Sequence, residues 1–207
     1  KGGSVSPMGL RKSLRAQEIA LHNKLPAITL AESAGANLLY QAEIFVDGGR
    51  IFANMARLSA AGVPQITVVH GSSTAGGAYL PGLSDYVVAV RGQAKVFLAG
   101  PPLVQAATGE LTDDESLGGA ELHAAVTGTA EYLAENDEHA LDLARELVEK
   151  LRWDRGCPSG PAPSFKPPRY DPEELLGVVP ADFKRPYDVR EVIARIVDDS
   201  DLLEFKA

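Results

Sequence analysis

The sequence predicts an α/β fold with a mostly parallel sheet. Three observations carry that prediction. Helical and strand patterns alternate along most of the chain. Two of the strand patterns run into loops of tiny residues that open a helix. Glycine and proline are also segregated: 17 of the 20 glycines fall in residues 1–128 and 8 of the 14 prolines in residues 156–186. The glycine-rich stretch reads as a packed domain with tight reversals, and the proline-rich stretch as an extended connector.

Ser6 is placed to cap a helix with Pro7 at its first position, and Leu10, Leu14 and Leu21 share one face of that helix. Pro26 ends it, and Ala27–Leu30 reads as a short buried strand. A small-residue loop follows over 31–38. The next helix is expected at about 49–61, with Ile51, Met55 and Leu58 inward and Gly62-Val63-Pro64 as its stop. Gln65–Val69 is the most apolar strand pattern, and a second small-residue loop runs over Gly71–Gly77. Two more strands are expected at Tyr86–Val90 and Val96–Ala99 and a helix from Pro101. A long helix is expected over about 137–152, with Leu141, Ala144, Leu147, Val148 and Leu151 as its stripe and Asn136 or Asp137 as its cap. A helical pattern restarts in 187–207.

Composition bounds the function. Of 207 residues 45% are apolar and 23% charged, as in a globular protein with a core of its own. The net charge of −8 offers no basic face to nucleic acid or anionic lipid. No run approaches the roughly 20 apolar residues of a membrane span. One cysteine, Cys157, leaves no internal disulfide and fits a reducing compartment. The chain opens at Lys1-Gly2-Gly3 without an initiator Met or a targeting segment, and is expected to be a fragment.

Two loops stand out as carriers of chemistry. They are Glu32-Ser33-Ala34-Gly35-Ala36-Asn37 and Gly71-Ser72-Ser73-Thr74-Ala75-Gly76-Gly77-Ala78-Tyr79. Tiny side chains let a ligand approach the main chain, and the first N–H groups of a helix have no internal partner. Side by side, two such loops can donate two N–H groups to one developing oxyanion. Tight helix–sheet packing explains either loop alone equally well. Gly71-Ser72-Ser73-Thr74-Ala75 also approaches a nucleophile elbow. That gives an alternative reading as a serine hydrolase, with Ser73 attacking and His123 or His139 as base. No Gly-x-Gly-x-x-Gly and no Walker loop is present, and the four histidines lack metal-ligand spacing, so no metal is expected. Tyr79 is a candidate pocket wall, and Lys12 and Arg15 give one helix a cationic side suited to a phosphate.

The ordered set Leu14-Arg15-Ala16-Gln17-Glu18-Ile19-Ala20, Ser33-Ala34-Gly35-Ala36-Asn37-Leu38, Arg50-Ile51-Phe52, Ala75-Gly76-Gly77-Ala78-Tyr79, Phe97–Val104, Ala107-Thr108-Gly109-Glu110 and Leu117-Gly118-Gly119-Ala120 resembles the carboxyltransferase (β) subunits of biotin-dependent acyl-CoA carboxylases. The Ala-Asn-Leu and Gly-Pro-Pro-Leu-Val runs are more similar to the 3-methylcrotonyl-CoA branch than to the propionyl-CoA branch. The resemblance covers nearly the whole chain. It implies a partial crotonase-like spiral domain: residues 1–152 as the later part of an N-terminal acyl-CoA-binding domain, 153–186 as a linker, and 187–207 as the opening of a second, similar domain.

The resemblance also implies the chemistry. A proton leaves an acyl-CoA thioester, backbone N–H groups hold the enolate oxygen, and the carbon takes the carboxyl group carried on biotin. In such enzymes the decarboxylated biotin is the base, so no protein acid–base pair is required. Carried onto this chain, Gly76 and Gly77, with Ala78 adjoining, become the oxyanion donors. Gly35, Ala36 and Asn37 become the first loop's contribution to substrate binding, with Tyr79, Arg15 and Lys12 as further contacts. Ala34 stands where a second glycine is usual and would be strained if that position needed positive φ. There is no Met-Lys-Met biotin attachment motif and no ATP-binding module, so biotin is expected on a partner biotin carboxylase or carrier subunit. A hexamer is implied, in the bacterial cytoplasm or a mitochondrial matrix. The isolated stretch is expected to transfer little or no carboxyl group. Beside the hydrolase, a non-catalytic assembly module is the other alternative.

Overall fold

The structure, a computed structural model, describes residues 3–151, 153 and 164–206. Lys1, Gly2, the expected helix end at 152, residues 154–163 of the expected linker, Cys157 and Ala207 lie outside the described residues. The chain divides into two compact units, residues 1–155 with 206–207 and residues 156–205.

In the first unit Pro7–Asn23 forms α1, with Ser6 Oγ accepting from Gly9 N as the cap and Lys24 closing the helix in the left-handed conformation. Ala27–Ser33 is β1, Gln41–Ala60 is α2 and Gln65–Thr74 is β2. After a 3₁₀ turn over Ala75–Ala78 come α3 (Tyr79–Gly82), β3 (Tyr86–Val90) and β4 (Lys95–Phe97). Then follow α4 (Pro101–Thr108), α5 (Asp114–Gly118), α6 (Ala120–Ala125), β5 (Tyr132–Ala134) and α7 (Asp137–Leu151). All strands pair in parallel in the order β1-β2-β3-β5, with β4 on the far end of β2.

The core follows from this order. Gln65–Val69 is buried on both faces, and Leu58, Val63, Ile66, Val68, Val69, Val88 and Val90 are almost without solvent contact. Leu10 and Leu14 of α1 pack on Ile44 and Ile51 of α2. The buried stripe of α7 is Ala140, Ala144 and Leu147, and Asn136 Oδ1 accepts from His139 N at its start.

Four expectations change. In α7 Leu141, expected in the apolar stripe, is exposed, and Ala140 lies on the buried face instead. The helix read at 49–61 begins eight residues earlier, because Ile44 continues the Ile51 face by two turns. The loop read from Gly71 is strand as far as Thr74, since Ser72–Thr74 find a partner in Lys95–Phe97. The strand expected to be buried is not: among the described residues β1 pairs with β2 alone, and Ile28 and Leu30 are 49% and 56% exposed.

In the second unit Pro172–Glu174 and Leu175–Val178 form a 3₁₀ turn and α8, and Val189–Ile193 forms α9. Arg195, 9% exposed, ties the unit together. Its guanidinium donates to Glu174 Oε2 at 2.8 Å and Glu191 Oε2 at 2.8 Å and lies 5.2 Å from the Tyr170 ring centre. Asp199 accepts from Arg169 Nε at 2.8 Å and Lys166 Nζ at 3.1 Å, and these two cations lower its pKa to about 2.

Candidate functional site

Both small-residue loops leave the carboxyl ends of adjacent parallel strands, where open α/β sheets place ligands. Ser33 and Ser73 are register partners at those ends. The loops touch. A Cβ on Gly77 would lie 2.9 Å from Ser33 Cβ, and one on Gly35 would lie 3.2 Å from Ala75 Cβ. Only glycine permits this approach, and at Gly35 the backbone requires it as well, with φ +86°.

Behind the loops lies an apolar cavity of about 880 Å³. Gly35, Ala36, Gly76 and Gly77 form one part of its wall. Ile28 and Leu30 of β1, Ala16 and Ile19 of α1, and Phe45, Gly48 and Gly49 of α2 form much of the rest. Among the described residues no ionisable side chain lines it.

The hydrogen bonds show which amides are available. Gly35 N donates to Ser33 Oγ at 3.1 Å, Ala34 N to Gly3 O at 3.1 Å, and Asn37 N to Val5 O at 3.1 Å. Val5 N donates to Gly35 O at 2.8 Å. A trans peptide sets its C=O and N–H antiparallel, so the Ala36 N–H points away from Val5. Among the described residues it has no acceptor, and Ala36 lies on the cavity wall. In the second loop the 3₁₀ turn directs the N–H of Gly77 and Ala78 toward carbonyls three residues back, whereas Gly76 is too early in the turn to have one there.

The other sequence candidates lie as follows. Asn37 caps a 3₁₀ turn, its Oδ1 accepting from Leu39 N at 3.2 Å. Tyr79 is off the cavity wall and packs on Phe52, which is on it, with ring centres 5.1 Å apart. Ala78 continues the turn into α3. Lys12 and Arg15 are exposed and off the wall, and Arg15 pairs with Glu18 at 3.3 Å. Ala34 does not have positive φ. Within the two loops the non-glycine residue at positive φ is Ala75, at +52°.

Ser73 is no nucleophile. Its side chain is fully buried and its Oγ donates to Gly77 O at 3.0 Å. His123 is held by Val96 O and the Thr127 and Thr129 hydroxyls, and His139 accepts from Glu135 N.

The sequence reading missed the walls contributed by α1 and α2. The period-seven pair Ile44 and Ile51 was the available signal, but Gly48-Gly49 interrupts the helical pattern between them.

A parallel sheet with two small-residue loops touching at its strand ends, beside an apolar cavity, defines an α/β class. Within it the chain belongs to the carboxyl transferase domain family, whose model matches residues 1–207. It is 55% identical, over its whole length, to 39% of a probable biotin-dependent acyl-coenzyme A carboxylase beta2 subunit of Mycobacterium tuberculosis. It is 50% identical to 39% of a probable mitochondrial methylcrotonoyl-CoA carboxylase beta chain of Drosophila melanogaster, again with all of this chain covered. Among solved structures it is similar to the β subunit of P. aeruginosa geranyl-CoA carboxylase, at 66% identity and TM-score 0.71 over 97% of this chain and 37% of that one. It is also similar to the transcarboxylase 12S subunit, at 35% identity and TM-score 0.88, with all of this chain and 40% of that one covered. The fold is crotonase-like. The chain spans about two fifths of the length of these relatives.

Proposed function

We propose that this chain forms the acyl-CoA-binding half of a biotin-dependent carboxyltransferase site. One observation carries the reading: the loops after β1 and β2 meet on the wall of an apolar cavity that, among the described residues, no ionisable side chain lines. Such a wall suits a thioester carbonyl whose oxygen becomes negative while its acyl chain sits in apolar surroundings. The Ala36 and Gly76 N–H groups are the donors we assign to that oxygen. Gly35 and Gly77 supply the close approach. Fixed N–H donors gain strength as charge builds on the enolate oxygen. Biotin, bound to a partner subunit, supplies the activated carboxyl group that the substrate carbon takes up. The residues described here fit the carbonyl and the chain, and we assign biotin's own contacts to the rest of the subunit. A hexamer, the division at 1–152, 153–186 and 187–207, and a location in the bacterial cytoplasm or a mitochondrial matrix belong to the same proposal.

The substrate we propose is a short branched acyl-CoA of the 3-methylcrotonyl kind. A second reading, a longer isoprenoid acyl-CoA, is favoured by the cavity's continuation past the loops along Ile28, Leu30, Phe45, Gly48 and Gly49. The similarity to a geranyl-CoA carboxylase subunit points the same way.

Calorimetry on the intact subunit tests the proposal. Acyl-CoAs should bind with measurable heat, and Gly76→Val should weaken both binding and carboxylation. No heat with any acyl-CoA would favour a non-catalytic assembly module. A panel ranked by chain length decides between the two substrates.

A further inference from the structure

The two loops share a device that neither motif announces. Near the end of each strand lies a buried serine whose hydroxyl closes on its own loop. Ser33, 6% exposed, accepts from Gly35 N at 3.1 Å, and Ser73, with no exposure, donates to Gly77 O at 3.0 Å. The serines are register partners across β1 and β2, and Thr74 Oγ1 donates to Ser33 O at 3.3 Å, joining the two strand ends.

We propose that Ser73, with Ser33 beside it, is a positioning residue for the oxyanion donors. The inference rests on the carboxyltransferase reading above. Gly77 O belongs to the Gly77–Ala78 peptide, whose N–H the 3₁₀ turn directs to Ala75 O, so holding it also holds the Ala75–Gly76 peptide that carries the Gly76 N–H. The turn needs such a hold, because it starts from Ala75 in a left-handed conformation that alanine disfavours. Without the hydroxyl, Ala75 relaxes toward negative φ, and the Gly76 N–H swings from the cavity. Ser33 does the corresponding work in the first loop. By taking the Gly35 N–H it keeps Gly35 at φ +86° and leaves Ala36 as the residue facing the ligand. Ser73 therefore acts through the main chain and touches no substrate.

The test uses the full-length subunit with its biotin-carrying partner. Ser73→Ala should lower kcat on the order of 10- to 100-fold, with KM for acyl-CoA within about twofold, as a displaced donor does. The carbonyl stretch of a bound ¹³C-labelled thioester, shifted by the wild-type donors, should return toward its solution frequency. Ser73→Thr, which keeps a hydroxyl, should restore the shift. Thr67→Val removes another fully buried hydroxyl of β2, hydrogen-bonded to Ser84 Oγ at 2.7 Å. It should lower the melting temperature and leave the carbonyl band in place. If Ser73→Ala does not fold, Ser73→Cys fills the site with a weak donor and must show the same loss of kcat and band shift. A wild-type band and kcat in the folded Ala or Cys variant overturns the inference. A wild-type enzyme that binds acyl-CoA with no band shift overturns the carboxyltransferase reading instead.

Discussion

A methyl group on Gly77 is a sharper probe of the site than one on Gly76, although the two glycines are adjacent. The Cβ of Gly77→Ala would lie 2.9 Å from Ser33 Cβ and 3.0 Å from Ser33 Oγ, inside any contact real side chains make. Ser33 has little room to yield. It is buried, its Oγ holds the Gly35 amide and its carbonyl accepts from Thr74. Overpacking of this kind costs about 1–3 kcal/mol. The displacement passes straight to the first loop, and a shift of about 1 Å in a positioned group costs on the order of 10² in rate. Gly76→Ala differs. Its Cβ would find Phe52 Cζ at 4.0 Å as its nearest neighbour, and Gly76 does not have positive φ. That variant should keep its stability within about 0.5 kcal/mol, the range of an unstrained surface change. Melting temperature and steady-state carboxylation of the full-length subunit read both effects. Gly77→Ala melting with the wild type and turning over at the wild-type rate would refute the claim that the two loops are packed to contact.

Ala75→Gly should raise stability by up to about 1–2 kcal/mol, the cost of the left-handed conformation it relieves, as read by melting temperature. Gly48→Leu should raise helix stability by roughly 0.8 kcal/mol while raising KM for long acyl-CoAs more than for short ones, because Gly48 lines the cavity with open space before it. For Asp199 the folded pKa of about 2 lies below the reference 3.8. Its pairing with Arg169 and Lys166 therefore contributes fully above 3.8 and is lost as pH falls through about 2. A carboxyl NMR titration should show that midpoint, and Arg169→Ala should move it up.

Much of the fold was legible because its signals are local. Ser6-Pro7 capped a helix as read, and the alternation of apolar runs with small-residue loops led to the parallel sheet. What the sequence hid was set by distant partners. Gly71-Ser72-Ser73 carries little strand propensity of its own, and Ser72–Thr74 is extended with Lys95–Phe97 alongside. Ile28 and Leu30 looked like core because apolar residues usually are, whereas their exposure follows from strand order. The same limit applied at the site. The loops were visible as strings of tiny residues. Which amide each loop leaves unpaired depends on Val5 for the first and on the turn geometry of Ala75–Ala78 for the second.

That division has a physical reason. A site that works through backbone N–H groups has no side chain whose identity records its function, so its sequence shows only room: glycine where chains touch and alanine where a ligand passes. The direction of each N–H is stored elsewhere, in groups that hold the neighbouring carbonyls. Here those groups are Val5, thirty residues before Gly35, and Ser73, hidden beneath the turn it anchors. On the proposed reading, a substitution that spares every glycine therefore still misaims the donors. Ser73, which sequence reading weighs as a nucleophile because it is a serine after a strand, illustrates this: its buried hydroxyl faces the main chain of its own loop and orders it from within.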